Sequence, residues 1–393
     1  MLSGRCRPTV SDTEMIPRCA ALKLGLVGVV LGTLYAGLQP FAFSPPNRAR
    51  PAEAGPGLVF EAPSMAISEA PLVWRGDPAA CEVTVHLWIE PDVESCDRFG
   101  ALLSLSSDSQ LPSFLVAQWK EGLNLRVRSD NPRGYWEIGA PGVLEAGRLT
   151  LVTITSSRVA GTRILIDGAV RAQSSRTAYV STDEPFGGRL LLGCLSHGDA
   201  RWAGTVLGVA IQDEAIVDEE VAQLAGAIRS DGFAILSGSR SLRALYLFEP
   251  PLFEQHALER SERGRIPNAY SPSEAGALVV PDVFRPAKRS VLAVPTWGDM
   301  TKRWFRIDLP LNIGGFMPLG FLLGLLLYRR GEPGIGAVAL QIGLLGLGLS
   351  LTIESVQVFL PDRSSSLLDL LANVVGTCAG FALVLLLERL DVC

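Results

Sequence analysis

Three pairs of polar side chains interrupt the apolar C-terminal part of this sequence. Each pair joins a carboxylate to an amide three or four residues away, and the pairs are Asp308 with Asn312, Glu354 with Gln357, and Asp369 with Asn373. This spacing places both members of a pair on one face of a helix. Ionisable groups at membrane depth are costly unless they are paired or face a wet cavity, so the pairs predict a site that binds a polar ligand.

Arg363 follows the second pair, in a short segment that also holds Ser364 to Ser366. We expect this cation either to neutralise part of the acidic cluster or to hold an anionic head group. Glu354 and Asp369 are the candidate general bases if the site is catalytic. The alternative is that the acids only cap helix ends, where Asp308 and Asp369 would interact favourably with the helix dipole.

The elements that must position these residues are helices long enough to cross a membrane. The chain has 393 residues, of which 48% are apolar and only 19% are charged, and its mean hydropathy is +0.28. We therefore expect neither a wholly soluble nor a disordered protein. Four charge-free runs, each near the roughly 20 residues that a spanning helix needs, lie at 24–47, 309–328, 333–353 and 370–387.

Lysine and arginine residues beside these runs predict the orientation, because cytoplasmic flanks are enriched in them. They are Arg5, Arg7, Arg18 and Lys23 before the first run, and Arg329 and Arg330 between the second and third. The prediction is a multi-pass protein of the cytoplasmic (inner) membrane, with cytoplasmic residues 1–23, an anchor at 24–44 and a three-helix membrane domain at 306–388. The domain between them then lies outside the cytoplasm, although several basic residues from Arg48 to Arg306 would lie there too. A signal peptide cleaved near Ala42 is the alternative to an anchor.

Residues 58–248 have the pattern of an all-β sandwich. Short β-branched and aromatic runs alternate there with Gly, Pro, Asp and Asn turns, which is typical of a sandwich or barrel. Asp167 and Gly168 supply the positive φ angles of a tight hairpin. One helix is predicted after Asp218. The Pro-rich segment 249–305 is predicted to be a loop or linker, which either completes the sandwich or only tethers it.

Aromatic side chains of the sandwich could stack on sugar rings. The candidates are Trp119, Tyr135 and Trp136, because their neighbours in sequence are polar. The alternative is that these rings fill the core between the sheets, as we expect for Trp88 and Trp202. A glucanase would need two carboxylates across a cleft, commonly at alternating positions of one strand, and the sequence has no such motif.

Other ligand classes find little support in the composition. The net charge of −5 leaves no basic stripe for nucleic acid. Only His86, His197 and His256 are present, so we predict no metal site. Of the cysteines placed outside the cytoplasm, Cys81 and Cys96 form a disulfide or, alternatively, remain small buried residues.

Three stretches of the sandwich region resemble a laminin-G or concanavalin A-like jelly-roll domain. They are Val83-Thr-Val-His-Leu-Trp-Ile89, Ile166-Asp-Gly168, and Trp202-Ala-Gly-Thr-Val-Leu-Gly-Val-Ala-Ile-Gln-Asp213 with the helix that follows. The resemblance implies two packed antiparallel sheets, with a face or rim that often binds carbohydrate and sometimes calcium. No calcium ligands match residue by residue, so no cofactor is assigned.

The three polar pairs occur within a pattern that resembles a VanZ-like domain. The matching stretches are Asp308-Leu-Pro-Leu-Asn312-Ile-Gly-Gly-Phe-Met-Pro318, Glu354-Ser-Val-Gln357-Val-Phe-Leu-Pro361-Asp-Arg363, and Asp369-Leu-Leu-Ala-Asn373-Val-Val-Gly376. The family takes its name from a teicoplanin-resistance protein, so the resemblance implies an envelope membrane protein and no defined reaction. Gly315 departs from the pattern at a position where a bulkier apolar residue is expected.

Together these features predict a bacterial envelope membrane protein of two parts. The external sandwich would bind a glycan or another envelope partner, and the membrane bundle would hold a lipid head group, with a link to glycopeptide-antibiotic resistance implied by the family name. One alternative is a membrane hydrolase or transferase that acts on a lipid-linked envelope precursor. Another is a scaffold that binds no ligand.

Overall fold

The structure is a computed structural model of the chain. It describes residues 12–53, 55–72, 82–106, 112–129, 131, 134–178, 188–248, 265–266, 276–287, 290–295, 303–328 and 334–390. The fold divides into two compact units, one of Ser44–Ala287 and one that combines Met1–Phe43 with Lys288–Cys393.

The described residues of the unit Ser44–Ala287 form two antiparallel sheets of eight strands each. In chain order the strands are β1 (Arg50–Pro51), β2 (Leu58–Phe60), β3 (Ala66–Ser68), β4 (Val83–Pro91), β5 (Phe99–Ser106), β6 (Phe114–Trp119), β7 (Gly122–Arg128), β8 (Tyr135–Ala140), β9 (Thr150–Ser157), β10 (Gly161–Ile166), β11 (Ala169–Ser174), β12 (Arg189–Leu192), β13 (Gly204–Gln212), β14 (Leu242–Leu247), β15 (Arg265–Ile266) and β16 (Leu278–Val279). The first sheet has the order β1-β2-β13-β4-β9-β10-β11, with β14 also paired to β13, and the second has the order β15-β16-β3-β12-β5-β6-β7-β8.

The facing sides of the two sheets enclose the core. Leu123, Leu125 and Val127 of β7 are fully buried, and the residues between them are only partly so, which is the alternation expected of a strand with one face inward. Asp167 and Gly168 join β10 to β11 with φ angles of 54° and 84°. Two consecutive positive φ angles make the tight hairpin turn that the sequence predicts.

Part of the Pro-rich segment belongs to the sandwich. Leu278 of β16 pairs with Ser68, and Val279 pairs with Ile67, so the second sheet continues past β3. The backbone of Phe284 also donates to the carbonyl oxygen of Pro45. The segment therefore completes the sandwich in these places.

A helix covers the outer side of the first sheet. Helix α2 (Asp218–Asp231) begins with three acidic residues, which favour the positive end of the helix dipole. A 3₁₀ helix, Phe233–Gly238, follows it. Ile228 and Leu236 from these helices pack with Leu151 and Leu245 of the sheet. The helix predicted at Asp218 is thus confirmed, with Asp218 as its first residue.

The described residues of the other unit form four long apolar helices. They are α1 (Asp12–Leu38), α3 (Arg303–Leu327), α4 (Ile335–Gln357) and α5 (Leu367–Arg389). Each is long and apolar enough to cross a membrane. The predicted fold class, an all-β sandwich joined to an α-helical membrane bundle, is confirmed.

Helices α3 and α5 pack backbone against backbone. A Cβ atom added to Gly320 would overlap the carbonyl oxygen of Thr377, and one added to Gly376 or Gly380 would overlap the carbonyl oxygens of Ile313 or Met317. Small residues at such positions let two helices approach closely in a membrane. This contact fixes α5 against α3, and the polar pairs at their ends are fixed with it.

Candidate functional site

A cavity of about 670 Å³ opens among the four apolar helices. The side chains that the polar pairs and their neighbouring loop contribute to it are Asp308, Asn312, Glu354, Gln357, Arg363, Asp369 and Asn373. All seven residues that the sequence nominates for ligand binding therefore line one cavity. Its size is within the usual range for a small-molecule site.

Helix α1 forms one wall of this cavity, which the sequence analysis did not predict. Val29, Gly32, Thr33, Ala36 and Gly37 all line it. No polar motif marks α1, so nothing in its local pattern distinguishes a cavity wall from a simple anchor. The small residues at every third or fourth position are the one signal that could have indicated close packing.

Asn312 and Asp369 hold each other across the α3–α5 contact. The Asn312 side-chain amide donates to Asp369 Oδ1 at 2.8 Å. Asp308, one turn before Asn312, is exposed and forms no hydrogen bond or ion pair with any described residue. Two carboxylates of the cavity thus lie at the start of their helices, and one of them has a fixed orientation.

Glu354 is the most deeply buried acid of the cavity, with 2% of its surface exposed. Its Oε2 accepts a hydrogen bond from the backbone N–H of Ser366 at 2.8 Å. Ser366 also caps α5 by accepting from the N–H of Leu368. This bond ties the end of α4 to the start of α5.

Asn373 is buried as well, with 4% of its surface exposed. Its side-chain amide donates to Ser350 Oγ of α4 at 2.9 Å. Its Oδ1 is buried and has no hydrogen-bond partner within the described part of the chain. A buried acceptor without a donor is rare in a native protein, so this atom calls for an explanation.

Arg363 and Gln357 bind the C-terminal end of α1. Arg363 Nε donates to the carbonyl oxygen of Gln39 at 2.7 Å and Nη2 to that of Ala36 at 3.3 Å. Gln357 donates to the carbonyl oxygen of Gly37 at 2.9 Å. Two of the donor groups of Arg363 are thus directed at α1. The guanidinium satisfies free carbonyl groups of a helix end.

Gly315 gives the cavity part of its space. This residue lines the cavity, and a Cβ atom added to it would meet nothing within 4 Å. The departure from the expected bulky residue thus coincides with open volume.

An aromatic surface with an arginine lies on the outer side of the second sheet. Trp119 is 50% exposed and its ring centroid is 6.4 Å from that of Phe99. The Arg126 guanidinium lies 4.4 Å from the Phe99 ring centroid and 4.8 Å from that of Tyr135, and it bonds Glu137 at 2.9 Å. We call these five residues the aromatic face. Stacking and ionic contacts hold its side chains in place.

Trp136 follows Tyr135 in β8 and lies on the opposite side of that strand. It is 7% exposed and belongs to the core between the sheets, and a buried ring cannot stack on a sugar. Trp202 is fully buried and its indole N–H donates to Gln118 Oε1 at 2.8 Å. Trp88 is partly buried and packs with the residues under α2.

Two other chemically active side chains are buried in the sandwich. His86 is fully buried, and burial lowers its pKa to about 4. Burial also raises the pKa of the Cys194 thiol to about 12. Within the described ranges, no three His, Cys, Asp or Glu side chains are arranged to hold a metal ion. Cys96 is a free thiol in the structure, and Cys81, its predicted disulfide partner, lies outside the described residues.

Two family models match separate parts of the chain. Residues 276–388 match the VanZ/LLP1 family. Residues 74–222 match the concanavalin A-like lectin/glucanases superfamily. The chain joins a concanavalin A-like domain to a VanZ-like domain. The cavity therefore belongs to the VanZ-like domain, except for the wall from α1, which lies outside the matched residues.

Solved structures resemble this chain at low identity. A SAP-like pentraxin from Limulus polyphemus is 18% identical, with 46% of this chain and 80% of that chain covered and a TM-score of 0.32. The CBM40 of a Ruminococcus gnavus IT-sialidase, bound to α2,3-sialyllactose, is 13% identical, with 38% and 85% covered and a TM-score of 0.33. A Bacteroides ovatus protein described as carbohydrate-binding is 14% identical, with 58% of each chain covered and a TM-score of 0.40. No curated protein matches the chain.

Proposed function

We propose that this chain is an envelope membrane protein that binds the head group of a membrane amphiphile in its VanZ-like bundle and a glycan or other envelope partner on its concanavalin A-like domain. The observation that carries the first part is the convergence of seven polar residues, from three helices and the loop between α4 and α5, on one cavity. Residues that only capped helix ends would not need to line one shared cavity.

The bundle has the two surfaces that an amphiphile requires. Polar side chains line the cavity beside apolar ones, among them Val29, Phe316 and Ile353. Large apolar residues such as Leu311 and Leu340 are exposed on the outside of the helices, where lipid would contact them. A lipid tail would therefore remain in an apolar environment while its head group enters the cavity.

Filling the cavity tests the head-group site. We expect Gly315→Leu to displace a bound head group, because the new side chain enters open space that lines the cavity. Gly314→Leu is the matched control, since a Cβ atom at Gly314 also meets nothing within 4 Å but Gly314 does not line the cavity. The measurement is native mass spectrometry of the full chain in dodecylmaltoside, equilibrated in turn with phosphatidylethanolamine, phosphatidylglycerol and a glycosyl diacylglycerol.

The expected result is that the wild-type chain and Gly314→Leu retain at least one of these lipids and that Gly315→Leu does not. If the wild-type chain retains none, or if both glycine variants behave alike, the head-group site is rejected.

The aromatic face supports the proposal for the sandwich. Trp119 presents half of its surface, and Tyr135 and Arg126 lie in the same contact network. An exposed, rigidly held aromatic ring beside polar groups suits the apolar face and the hydroxyl edge of a sugar.

A glycan array probed with the full-length chain tests this part. We expect Trp119→Ala to lose the glycan signals of the wild-type chain, because its half-exposed ring provides the stacking surface. Val159→Ala, at a fully exposed turn of the first sheet, is the control and should keep them. Identical arrays for the wild-type chain and Trp119→Ala would refute stacking on this face.

A catalytic reading of the same cavity has one observation in its favour. Glu354 is a buried carboxylate that lines the cavity, and acids in such positions often serve as general bases. An enzyme acting on a lipid-linked envelope precursor would lose turnover in Glu354→Gln.

For the envelope role itself, we propose that expression of the chain lowers teicoplanin susceptibility. An unchanged minimal inhibitory concentration would contradict that link.

A further inference from the structure

The nitrogen-bearing side-chain donors of the cavity are already used within the protein. Asn312 donates to Asp369, Asn373 to Ser350, and Gln357 to the carbonyl oxygen of Gly37. Arg363 donates to the carbonyl oxygens at the end of α1. Each nitrogen-bearing polar side chain of the cavity therefore has at least one protein acceptor.

The acceptors of the cavity are only partly satisfied, because Glu354 Oε2 accepts one hydrogen bond from the N–H of Ser366 and Asp369 Oδ1 accepts one from the Asn312 amide. Asp308, Glu354 and Asp369 form no ion pair with any residue that the structure describes. Asn373 lines the same cavity, is 96% buried, and its Oδ1 has no donor among those residues. Buried acceptors and carboxylates at membrane depth are costly unless a donor or a positive charge reaches them. The cavity thus has an excess of acceptors and of negative charge.

From this imbalance we infer that the cavity takes an amphiphile with a positively charged, amine-bearing head group. The inference rests on the proposed head-group site and specifies its ligand class. An ammonium group offers three N–H donors and one positive charge, which are what the acceptors and carboxylates of the cavity lack. A phosphate group offers acceptors and negative charge, which the carboxylates would repel.

The spacing of the acids favours an organic cation over a metal ion. Within the described residues, no three acidic, histidine or cysteine side chains come close enough to coordinate one ion. A metal ion needs several ligands at 2.0–2.6 Å, roughly. Hydrogen bonds from an ammonium group reach acceptors about 3 Å away, and apolar residues such as Phe316 line the same cavity beside the acids.

Two probes with equal tails and opposite head-group charges test the inference. The full chain in dodecylmaltoside is titrated with decylamine hydrochloride and with decyl phosphate by isothermal titration calorimetry, with micelles alone as the blank. The variants are Asp308→Asn and Glu354→Gln, each of which keeps the size of the side chain and removes the charge. Glu388→Gln, near the other end of α5 and outside the cavity, is the matched control.

We expect saturable one-to-one binding of decylammonium to the wild-type chain. Its Kd should rise about tenfold or more in Asp308→Asn and Glu354→Gln, because a charged hydrogen bond is lost, and should not change in Glu388→Gln. Thermal unfolding in the same micelles checks that each variant folds. Asp308 is exposed, so its replacement is the one least able to disturb packing.

The opposite results are distinct. If decyl phosphate binds as tightly as decylammonium and Gly315→Leu abolishes that binding, the ligand class is wrong while the head-group site stands. If neither probe binds saturably, the inference is overturned, and the lipid-retention measurement decides separately whether the head-group site exists.

Discussion

His86 is an ionisable side chain without access to water. Its Nδ1 lies 2.9 Å from Thr153 Oγ1 and its Nε2 lies 3.1 Å from Gln212 Oε1. The Gln212 amide nitrogen already donates to Ser239 and Ser241, so its oxygen faces the ring and the ring donates from Nε2. Both ring nitrogens are thus satisfied in the neutral form, and burial lowers the pKa of His86 to about 4.

This histidine should make the sandwich sensitive to acid. The folded pKa lies below the unfolded value of 6.5, so the unfolded chain takes up the proton first as the pH falls. We expect the free energy of unfolding to fall by about 3 kcal/mol between pH 6.5 and pH 4 on this account. His86→Gln should remove that part of the pH dependence. Urea unfolding of the full chain, followed by tryptophan fluorescence at several pH values, measures it.

His197→Gln is the control, because His197 is partly exposed and its Nδ1 bonds the carbonyl oxygen of Ala287. Parallel pH profiles for the wild-type chain and His86→Gln would contradict the prediction.

At the residue scale, the sequence predicted which residues line a site better than it predicted the contacts between them. Tyr135 and Trp136 are neighbours on one strand, so only one of them can face outward. The alternation could have excluded the pair as joint stacking residues, but it could not say which ring was buried. Phe99 and Arg126 were missed because their approach depends on the pairing of β5, β6 and β7, which no local pattern encodes.

At the element scale, the α3–α5 contact depends on glycine. Gly376→Ala would force a methyl group against the carbonyl oxygen of Ile313, and overpacking of this kind costs about 1–3 kcal/mol. Gly348→Ala is the matched control on α4, where nothing lies within 4 Å of an added Cβ atom. Thermal unfolding of both variants in dodecylmaltoside should show a loss for Gly376→Ala alone. Equal unfolding temperatures would mean that the helices are not in backbone contact.

Helix α1 should depend on Arg363 for its C-terminal end. Removing the charged hydrogen bonds to Ala36 and Gln39 in Arg363→Gln should speed amide exchange at the end of α1 about tenfold, as seen by hydrogen–deuterium exchange mass spectrometry. Arg389→Gln, at the far end of α5, is the control. Exchange that is the same in Arg363→Gln and in the wild-type chain would show that this end is held by other contacts.

These contacts also bear on the signal-peptide alternative. A cleaved α1 would remove one wall of the cavity and leave Arg363 and Gln357 without the carbonyl groups they bind. We therefore expect the mature chain to retain α1, and the intact mass of the purified protein checks this.

The charge-free runs predicted the existence of the helices, because composition alone decides whether a segment is apolar. The polar pairs predicted that α3, α4 and α5 share a site, whereas the wall from α1 was not predicted, because no polar motif marks that helix.

At the scale of the whole molecule, the sides of the membrane are the open prediction. Positive flanks place the sandwich and the α4–α5 loop outside and both chain ends inside. In a chain without its native cysteines, Val159→Cys and Ser364→Cys should react with an impermeant maleimide in intact cells. Leu390→Cys should react only after permeabilisation. If Ser364→Cys is labelled only after permeabilisation, the end of the cavity that Ser364 lines is in the cytoplasm and the predicted orientation is refuted.

Both domains could be named from the sequence, for different reasons. The polar pairs of the VanZ-like domain are ordered and rare in apolar segments, so they identify it strongly. The sandwich was identified by its turns and longer strands, whereas β1, β15 and β16 have two residues each, too few to show any alternation. β1 is positioned by pairing with β2, β16 by pairing with β3, and β15 by pairing with β16, which are tertiary effects.

The glycine contact between α3 and α5 also limits how the cavity can change shape. Where the backbones of two helices touch, no side-chain layer lies between them that could repack, so we expect the two helices to move together. Asp308, Asn312, Asp369 and Asn373 all lie on this pair of helices. A change in the shape of the cavity therefore comes from movement of α1 or α4, and movement of α1 would break the hydrogen bonds that Arg363 and Gln357 donate to it.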